Sequence, residues 1–179
     1  MSRIFTAGIK HSGKTLLSCL AADRLGMDWA DGDGLFEKLA GVPARTYYRE
    51  HGNKAFLEKQ FEAVKAWTDG KDDYIVSLGG GVSDSPEFLS FIADTGKMVY
   101  IRRDEKAMLP VILQDGIPPF LITDEGVEEA FHKLYMRRDP IYSEHADIIL
   151  DLHDYGEMED AVNLLIAKLL EAGYVKHDR

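Results

Sequence analysis

The chain has one cysteine, Cys19, in 179 residues. No intrachain disulfide can form, which excludes a disulfide-stapled scaffold. So little cysteine suits a reducing compartment, and a cytoplasmic setting is expected. Long apolar runs are also missing, and none approaches the ~20 residues needed to cross a bilayer. The N-terminus enters a strand directly, without the layout of a signal peptide. Positive charge is scarce: 21 Lys and Arg stand against 31 Asp and Glu, a formal net charge of −10. General nucleic-acid and anionic-membrane binders need a basic face, so neither partner is expected. The six histidines show no paired ligand spacing, which argues against zinc. Low-complexity tracts, internal repeats and long linkers are absent.

What is present is an alternation of short apolar runs with helical patterns. Hydrophobic residues make up 45% of the chain, enough for one domain over 1–179 with a substantial core. Strands are predicted at 4–7, 27–31, 74–78, 97–101 and 146–152. Helices are predicted at 15–25, 35–40 and 43–50, then from an Asn53 N-cap to about 67. A further helix opens at Pro86. Others run over 104–113, crossed by Pro110, and over 124–138. Met158, Ala161, Val162, Leu165, Ile166 and Leu169 repeat at helical spacing at the C-terminal end. This order predicts an α/β fold, a three-layer α/β/α sandwich around a five-stranded parallel sheet. Ligands in such folds sit at the carboxyl ends of the strands.

One contiguous stretch carries most of the chemistry. Gly8-Ile9-Lys10-His11-Ser12-Gly13-Lys14-Thr15 fits the phosphate-binding loop pattern, G-x-x-x-x-G-K-[ST], between a predicted strand and helix. Its glycines let backbone N–H groups turn inward onto phosphate oxygens, and the helix start adds a positive dipole end. Gly8, Lys10, His11, Ser12, Gly13, Lys14, Thr15 and Leu16 are therefore the expected ATP-binding residues. Lys14 reaches the β- and γ-phosphates, and the Thr15 hydroxyl ligates Mg²⁺.

Other motifs fall at the same end of the predicted sheet. Asp31 and Asp33 flank a glycine just past a strand. One carboxylate could orient Mg²⁺ through water, while the other accepts a hydrogen bond from a hydroxyl and acts as base. A solvated Asp-Gly turn is the plainer alternative. Ser77 precedes Gly79-Gly80-Gly81, where backbone could approach a ligand closely. It could hold a metal-bound water, or the triplet could be only a tight turn. Arg137-Arg138-Asp139-Pro140-Ile141-Tyr142 reads as a helix end, with cations suiting the dipole and the proline stopping the helix. Arg138 could also reach into the cleft and fork onto a carboxylate or phosphate.

Together these motifs resemble the shikimate kinases, P-loop phosphotransferases of the nucleoside-monophosphate-kinase fold, over about 4–170. The resemblance implies that Asp31 is the metal-side carboxylate, that Asp33 holds the acceptor's ring hydroxyls, and that Gly79, Gly80 and Gly81 lie beside the acceptor. It implies that Arg138 binds the acceptor's carboxylate. The expected cofactors are ATP and Mg²⁺, and the expected partner is a small-molecule hydroxyl acceptor, bound by a monomer or weak homodimer. Catalysis is expected to rest on Lys14, Asp31 and Asp33, and the metal on Thr15, Asp31 and Ser77. Acceptor helices are expected over about 34–67 and a lid over about 114–123.

The departures concern the acceptor side. Leu57 stands where the family has a second carboxylate-binding arginine, and Gln60 replaces its supporting acid. Pro118 replaces the lid arginine that bridges the transferring phosphate. Each lost charge-assisted contact is worth roughly 1.5–3 kcal/mol. Lys54 or Lys10 could substitute, the acceptor could be a less anionic polyol, or the chain could bind nucleotide and transfer poorly. A working kinase with an altered acceptor is the favoured expectation. The alternative is a nucleotide-binding regulatory or assembly protein. A nucleoside-monophosphate kinase ranks lower, because the glycine triplet lacks the acidic and arginine-bearing sequence expected there.

Overall fold

The computed structural model describes residues 1–176. The expected domain of 1–179 therefore extends into residues 177–179, which lie outside the described residues. Five parallel strands form one sheet in the order β2-β3-β1-β4-β5, as the α/β reading predicts. They are β1 (Ser2–Ala7), β2 (Asp28–Asp31), β3 (Asp73–Ser77), β4 (Lys97–Arg103) and β5 (Ile148–His153). The helices between them are α1 (Lys14–Leu25), α2 (Gly32–Ala40), α3 (Ala44–Thr68), α4 (Pro86–Thr95), α5 (Glu105–Asp115), α6 (Val127–His145) and α7 (Met158–Glu171).

Period-two alternation in the strands builds the three layers. Ile4, Ile75, Val99, Ile101 and Leu150 turn to one face, against Leu17 and Ala21 of α1 and Val162, Leu165 and Leu169 of α7. Phe5, Val76, Met98 and Tyr100 turn to the other, against α3, α4 and α6 through Val64, Phe88, Ile92 and Phe131. All of these core side chains are essentially inaccessible to water, so both sheet faces are covered, as parallel sheets require.

Capping explains several boundaries. The Ser85 hydroxyl accepts from Phe88 N–H at 3.4 Å, and Pro86 opens α4. Gly26 ends α1 in the left-handed region at φ 62°, a conformation that glycine adopts cheaply. Two predicted boundaries need correction. The break before the acceptor-side helix lies at Gly52, with φ 80° and ψ 177°, one residue before the expected Asn53 cap. Helix α6 does not stop at Arg138; it passes through Pro140 to His145. Proline removes one N–H and the bond to the carbonyl four residues earlier. Here that loss is outweighed by contacts that both sides of Pro140 make with the glycine turn.

Candidate active site

The site begins in strand register. Asp31 of β2 pairs with Ser77 of β3, and Ser77 pairs with Thr6 of β1. The carboxyl ends of three adjacent strands therefore meet in one row, from which the P-loop, the Asp31 turn and the glycine triplet emerge. A cleft of about 810 Å³ opens there, lined by Lys10, Lys14, Thr15, Asp33, Gly80 and Arg138, among others. That volume suits a small-molecule site.

The P-loop is strapped into shape from behind. Arg103, at the end of β4, donates from Nε to the Ser12 carbonyl at 2.8 Å and from Nη1 to the Asp154 carbonyl. Its guanidinium lies 4.3 Å from the Tyr155 ring centroid, while the Tyr155 hydroxyl donates to the His11 carbonyl. A Cβ on Gly8 would lie 2.7 Å from the Ile101 carbonyl oxygen and 2.7 Å from Ser12 Oγ. Only glycine permits that approach. His11 takes a left-handed φ of 68° and Gly13 one of 83°, so Gly13 caps α1 without a side-chain acceptor. The first-turn amides of α1 are left to a ligand anion, the arrangement that favours phosphate. Leu16 is half-exposed at the cleft edge.

Lys14 is only 8% exposed. Burial pushes its ammonium down from the ordinary lysine value, and Asp33 and Asp31 pull it back only in part. A buried cation beside empty donor amides is a seat for negative charge. Thr15 Oγ1 lies 3.3 Å from both Asp31 Oδ1 and Ser77 Oγ. Asp31 caps α2 through its other oxygen, accepting from Gly34 N–H at 3.0 Å. The row thus offers hard oxygen donors alone, the donor set that Mg²⁺ prefers, and these residues fit that ion.

Asp33 opens onto the cleft, yet protein crowds it enough to matter. Desolvation pushes its carboxyl above the usual range, Lys14 pulls it down, and Asp31 raises it again. Gln60 is fully buried and donates from Nε2 to Asp33 Oδ1 at 2.7 Å. A neutral donor thus props Asp33 where the family has an acid. A Cβ on Gly79 would lie 2.8 Å from Gln60 Oε1 and 2.9 Å from Asp33 Oδ1. Gly79→Ala is expected to displace that pair and lower kcat/KM about tenfold, with ATP affinity unchanged. Steady-state kinetics and nucleotide titration check both halves.

Arg138 and Tyr142, one helical turn apart on α6, converge on a single atom. Arg138 Nη1 donates to the Gly80 carbonyl at 2.7 Å, and the Tyr142 hydroxyl donates to the same carbonyl at 2.9 Å. The same hydroxyl accepts from Ser83 N–H at 3.4 Å. That shared grip needs α6 to continue past Pro140, which overturns the helix-end reading of the arginines.

Lys14, Thr15, Asp33, the glycine triplet and Arg138 thus line one cleft, whereas Gly8, Ser12, Asp31 and Ser77 are not in its lining. A family profile described as "Shikimate kinase" matches residues 10–169. The chain belongs to the shikimate kinase family. A shikimate kinase of Stenotrophomonas maltophilia is 33% identical over 159 residues, covering 89% of this chain and 87% of that protein. One of Chlorobium phaeobacteroides is 29% identical, covering 94% and 90%. A solved shikimate kinase from Acinetobacter baumannii, in complex with shikimate, superposes with TM-score 0.87 at 22% identity over 96% of this chain and 94% of that one. The family is one of ATP-dependent small-molecule kinases, and the structural likeness carries the P-loop kinase fold to this chain.

The two lysines weighed for the missing arginine differ in place, and other residues enter the cleft without a motif. Lys54, weighed as a substitute for the missing arginine, is almost fully exposed and faces Glu58 at 3.8 Å. It does not line the cleft, whereas Lys10 does. Arg45, in the first turn of α3, also lines it, without any motif to announce it. Pro118, with Pro119 and Phe120, walls the cleft from the expected lid segment. Arg103, Tyr155 and Asp84 act through contacts remote in sequence, which no local pattern reveals. Among the described residues, no helix is long and apolar enough to cross a membrane.

Proposed function

We propose that this chain moves the γ-phosphate of ATP to a ring hydroxyl of a small polyol or hydroxy acid, shikimate or a related acceptor. The observation that carries this reading is one cleft shared by a buried ammonium, Lys14, and a propped carboxylate, Asp33. The shikimate kinases to which the chain is similar, one of them in complex with shikimate, support the choice of acceptor class.

In this reading the α1 amides and Lys14 hold the β- and γ-phosphates, and Lys14 offsets charge as it develops on the transferring group. Thr15, Asp31 and Ser77 would hold Mg²⁺, directly or through water. When bound, the ion supplies further neutralisation of the phosphate oxygens. Asp33 orients the acceptor hydroxyl and takes its proton. Gly79, Gly80 and Gly81 let the acceptor approach the backbone, and Arg138 forms the far wall. The 114–123 segment closes over the cleft to exclude water, which would otherwise compete as nucleophile. The setting is cytoplasmic, and the chain works as a monomer or weak homodimer.

An ATP-consumption screen over shikimate, related cyclic polyols, sugars and nucleoside monophosphates tests the reading. Phosphorylated product with a cyclic polyol or hydroxy acid is expected. ATP binding without product from any acceptor would instead favour a regulatory nucleotide-binding protein.

A further inference from the structure

The cleft is lined by the side chains of Lys10, Lys14, Arg45, Arg137 and Arg138. Lys14 is drawn to Asp33 and Asp31. Arg137 and Arg138 share one carboxylate, Asp84, at 2.5 Å and 2.8 Å. Two guanidinium charges against one carboxylate leave this corner net positive. Arg138 is 7% exposed, and its Nε is buried without a protein partner. The corner therefore still seeks an anion. Leu57 meets it through Gly81, where a Cβ would lie 3.3 Å from Leu57 Cδ2 and 3.7 Å from Arg138 Nη2. A methyl group offers an incoming carboxylate no hydrogen bond.

Arg45 faces the cleft as an exposed cation and, among the described residues, has no ion pair or hydrogen bond through its side chain. It is the second residue of α3, and the start of that helix is well fixed. Ala44 N–H donates to Glu37 Oε1 at 3.0 Å. Tyr47 and Tyr48 pack edge-on against Phe36 and Phe56, with ring centroids 5.2 Å and 6.0 Å apart. Phe56 directly precedes Leu57, so these contacts tie the first turn of α3 to the wall that carries the leucine. Arg45 and Tyr48, three residues apart, are neighbours on the helix surface, and both line the cleft; Arg49, one turn further on, does not. Lys10 also lacks an ion pair among the described residues, but it belongs to the phosphate side. It sits inside the P-loop, with its backbone N 3.1 Å from a Cβ placed on Gly80.

We propose that Arg45 determines acceptor specificity: its guanidinium pairs with the acceptor's carboxylate together with Arg138, supplying from the first turn of α3 the donors that Leu57 lacks. The inference rests on the phosphotransferase reading for the identity of the acceptor, and binding alone measures it. A guanidinium suits the task because it is always charged, presents paired donors to a carboxylate and extends on a long stem. No internal ion pair of Arg45 has to break when the acceptor arrives.

Calorimetric titration in the presence of MgADP compares shikimate with its methyl ester, which differs by the one charge. Arg45→Ala is expected to weaken shikimate binding about tenfold to a hundredfold, the worth of one charge-assisted contact, and to leave the ester within about threefold. Arg45→Lys keeps the charge without the paired donors and is expected to recover part of the loss. Arg49→Ala, on the same helix but off the cleft, is expected to change neither ligand. A general disturbance of α3 would weaken acid and ester together. That result, an unchanged affinity for the acid, or an acid-specific loss in Lys10→Ala instead of Arg45→Ala would overturn the proposal, as would failure of the unaltered protein to bind shikimate. A parallel MgATP assay separates the two readings. If shikimate binds with the expected dependence on Arg45 and yields no product, the kinase reading falls and the role of Arg45 stands. If product forms with an unchanged KM in Arg45→Ala, the kinase reading stands and the role of Arg45 falls.

Discussion

Lys14→Ala is expected to lower turnover by roughly 10²–10³-fold or more, the range seen when one preorganised charge or donor is removed from a transition state. Lys14 is held almost out of water, where each unit of charge acts with less screening than at a surface. Lys14 is the first residue of α1, so its side chain leaves the chain beside the same amides that would hold the phosphate. Phosphoryl transfer asks the protein for positioning and charge neutralisation more than for covalent chemistry, so this one cation bears much of the load. Folding should survive. The substitution removes a desolvated charge as well as a partner of Asp33, and these effects oppose each other. Coupled ATP-consumption kinetics alongside thermal melts check the pair of expectations; full activity in the variant would sink the kinase reading.

Asp33→Asn should cost roughly 10²–10⁴-fold in turnover, the usual contribution of a positioned general base, with ATP affinity little changed. The pH profile gives a second test. Desolvation raises the Asp33 carboxyl, and the working form is the ionised one. The acid limb of kcat/KM should therefore lie above the ordinary carboxylate value of 3.8 and should vanish in the asparagine variant. The linkage sign separates this from acid unfolding. Between the unfolded and the raised folded value, the native state binds more protons. The contribution of Asp33 to stability thus falls as pH rises through that window and grows as pH falls. Rate loss on acidification would accompany a fold that Asp33 itself renders more stable. Gln60→Glu would set a second carboxylate against Oδ1 and move the limb further up. An acid limb unmoved by either substitution would remove Asp33 from the role of base.

What was legible in the sequence was what is local. The P-loop, Asp31-Gly32-Asp33 and Ser77 with its glycines are contiguous strings, each pinned to a strand end, and the strands themselves are short apolar runs. Their assembly into one row follows from parallel pairing, so the α/β sandwich and the end bearing the cleft could be read together. What could not be read depends on partners far away in the chain. Helix α6 crosses Pro140 because Arg138 and Tyr142 share the Gly80 carbonyl, about 60 residues back. Lys54 looked like a substitute for an arginine at Leu57 by helical spacing, yet it turns outward to Glu58. Gln60 read as a lost acid; its Nε2 bond to Asp33 makes it a support of a different kind. Asp84 carries no motif, and its ion pairs with Arg137 and Arg138 join it to another element more than 50 residues away.

The shared row of Thr6, Ser77 and Asp31 has a consequence for how such a chain can vary. Because main-chain pairing sets the spacing of the hydroxyl and carboxylate beside the P-loop, that spacing is indifferent to the turns at the opposite end of the strands. The Gly26–Met27 and Gly70–Asp72 connections lie there, and a Cβ on Gly70 would meet no atom within 4 Å. Residues can be inserted at those turns, or the chain reopened there to create new ends, with the oxygen donors left in place. A one-residue slip of β3, by contrast, would swing Ser77 to the other face of the sheet and dismantle the row without altering a single residue in it.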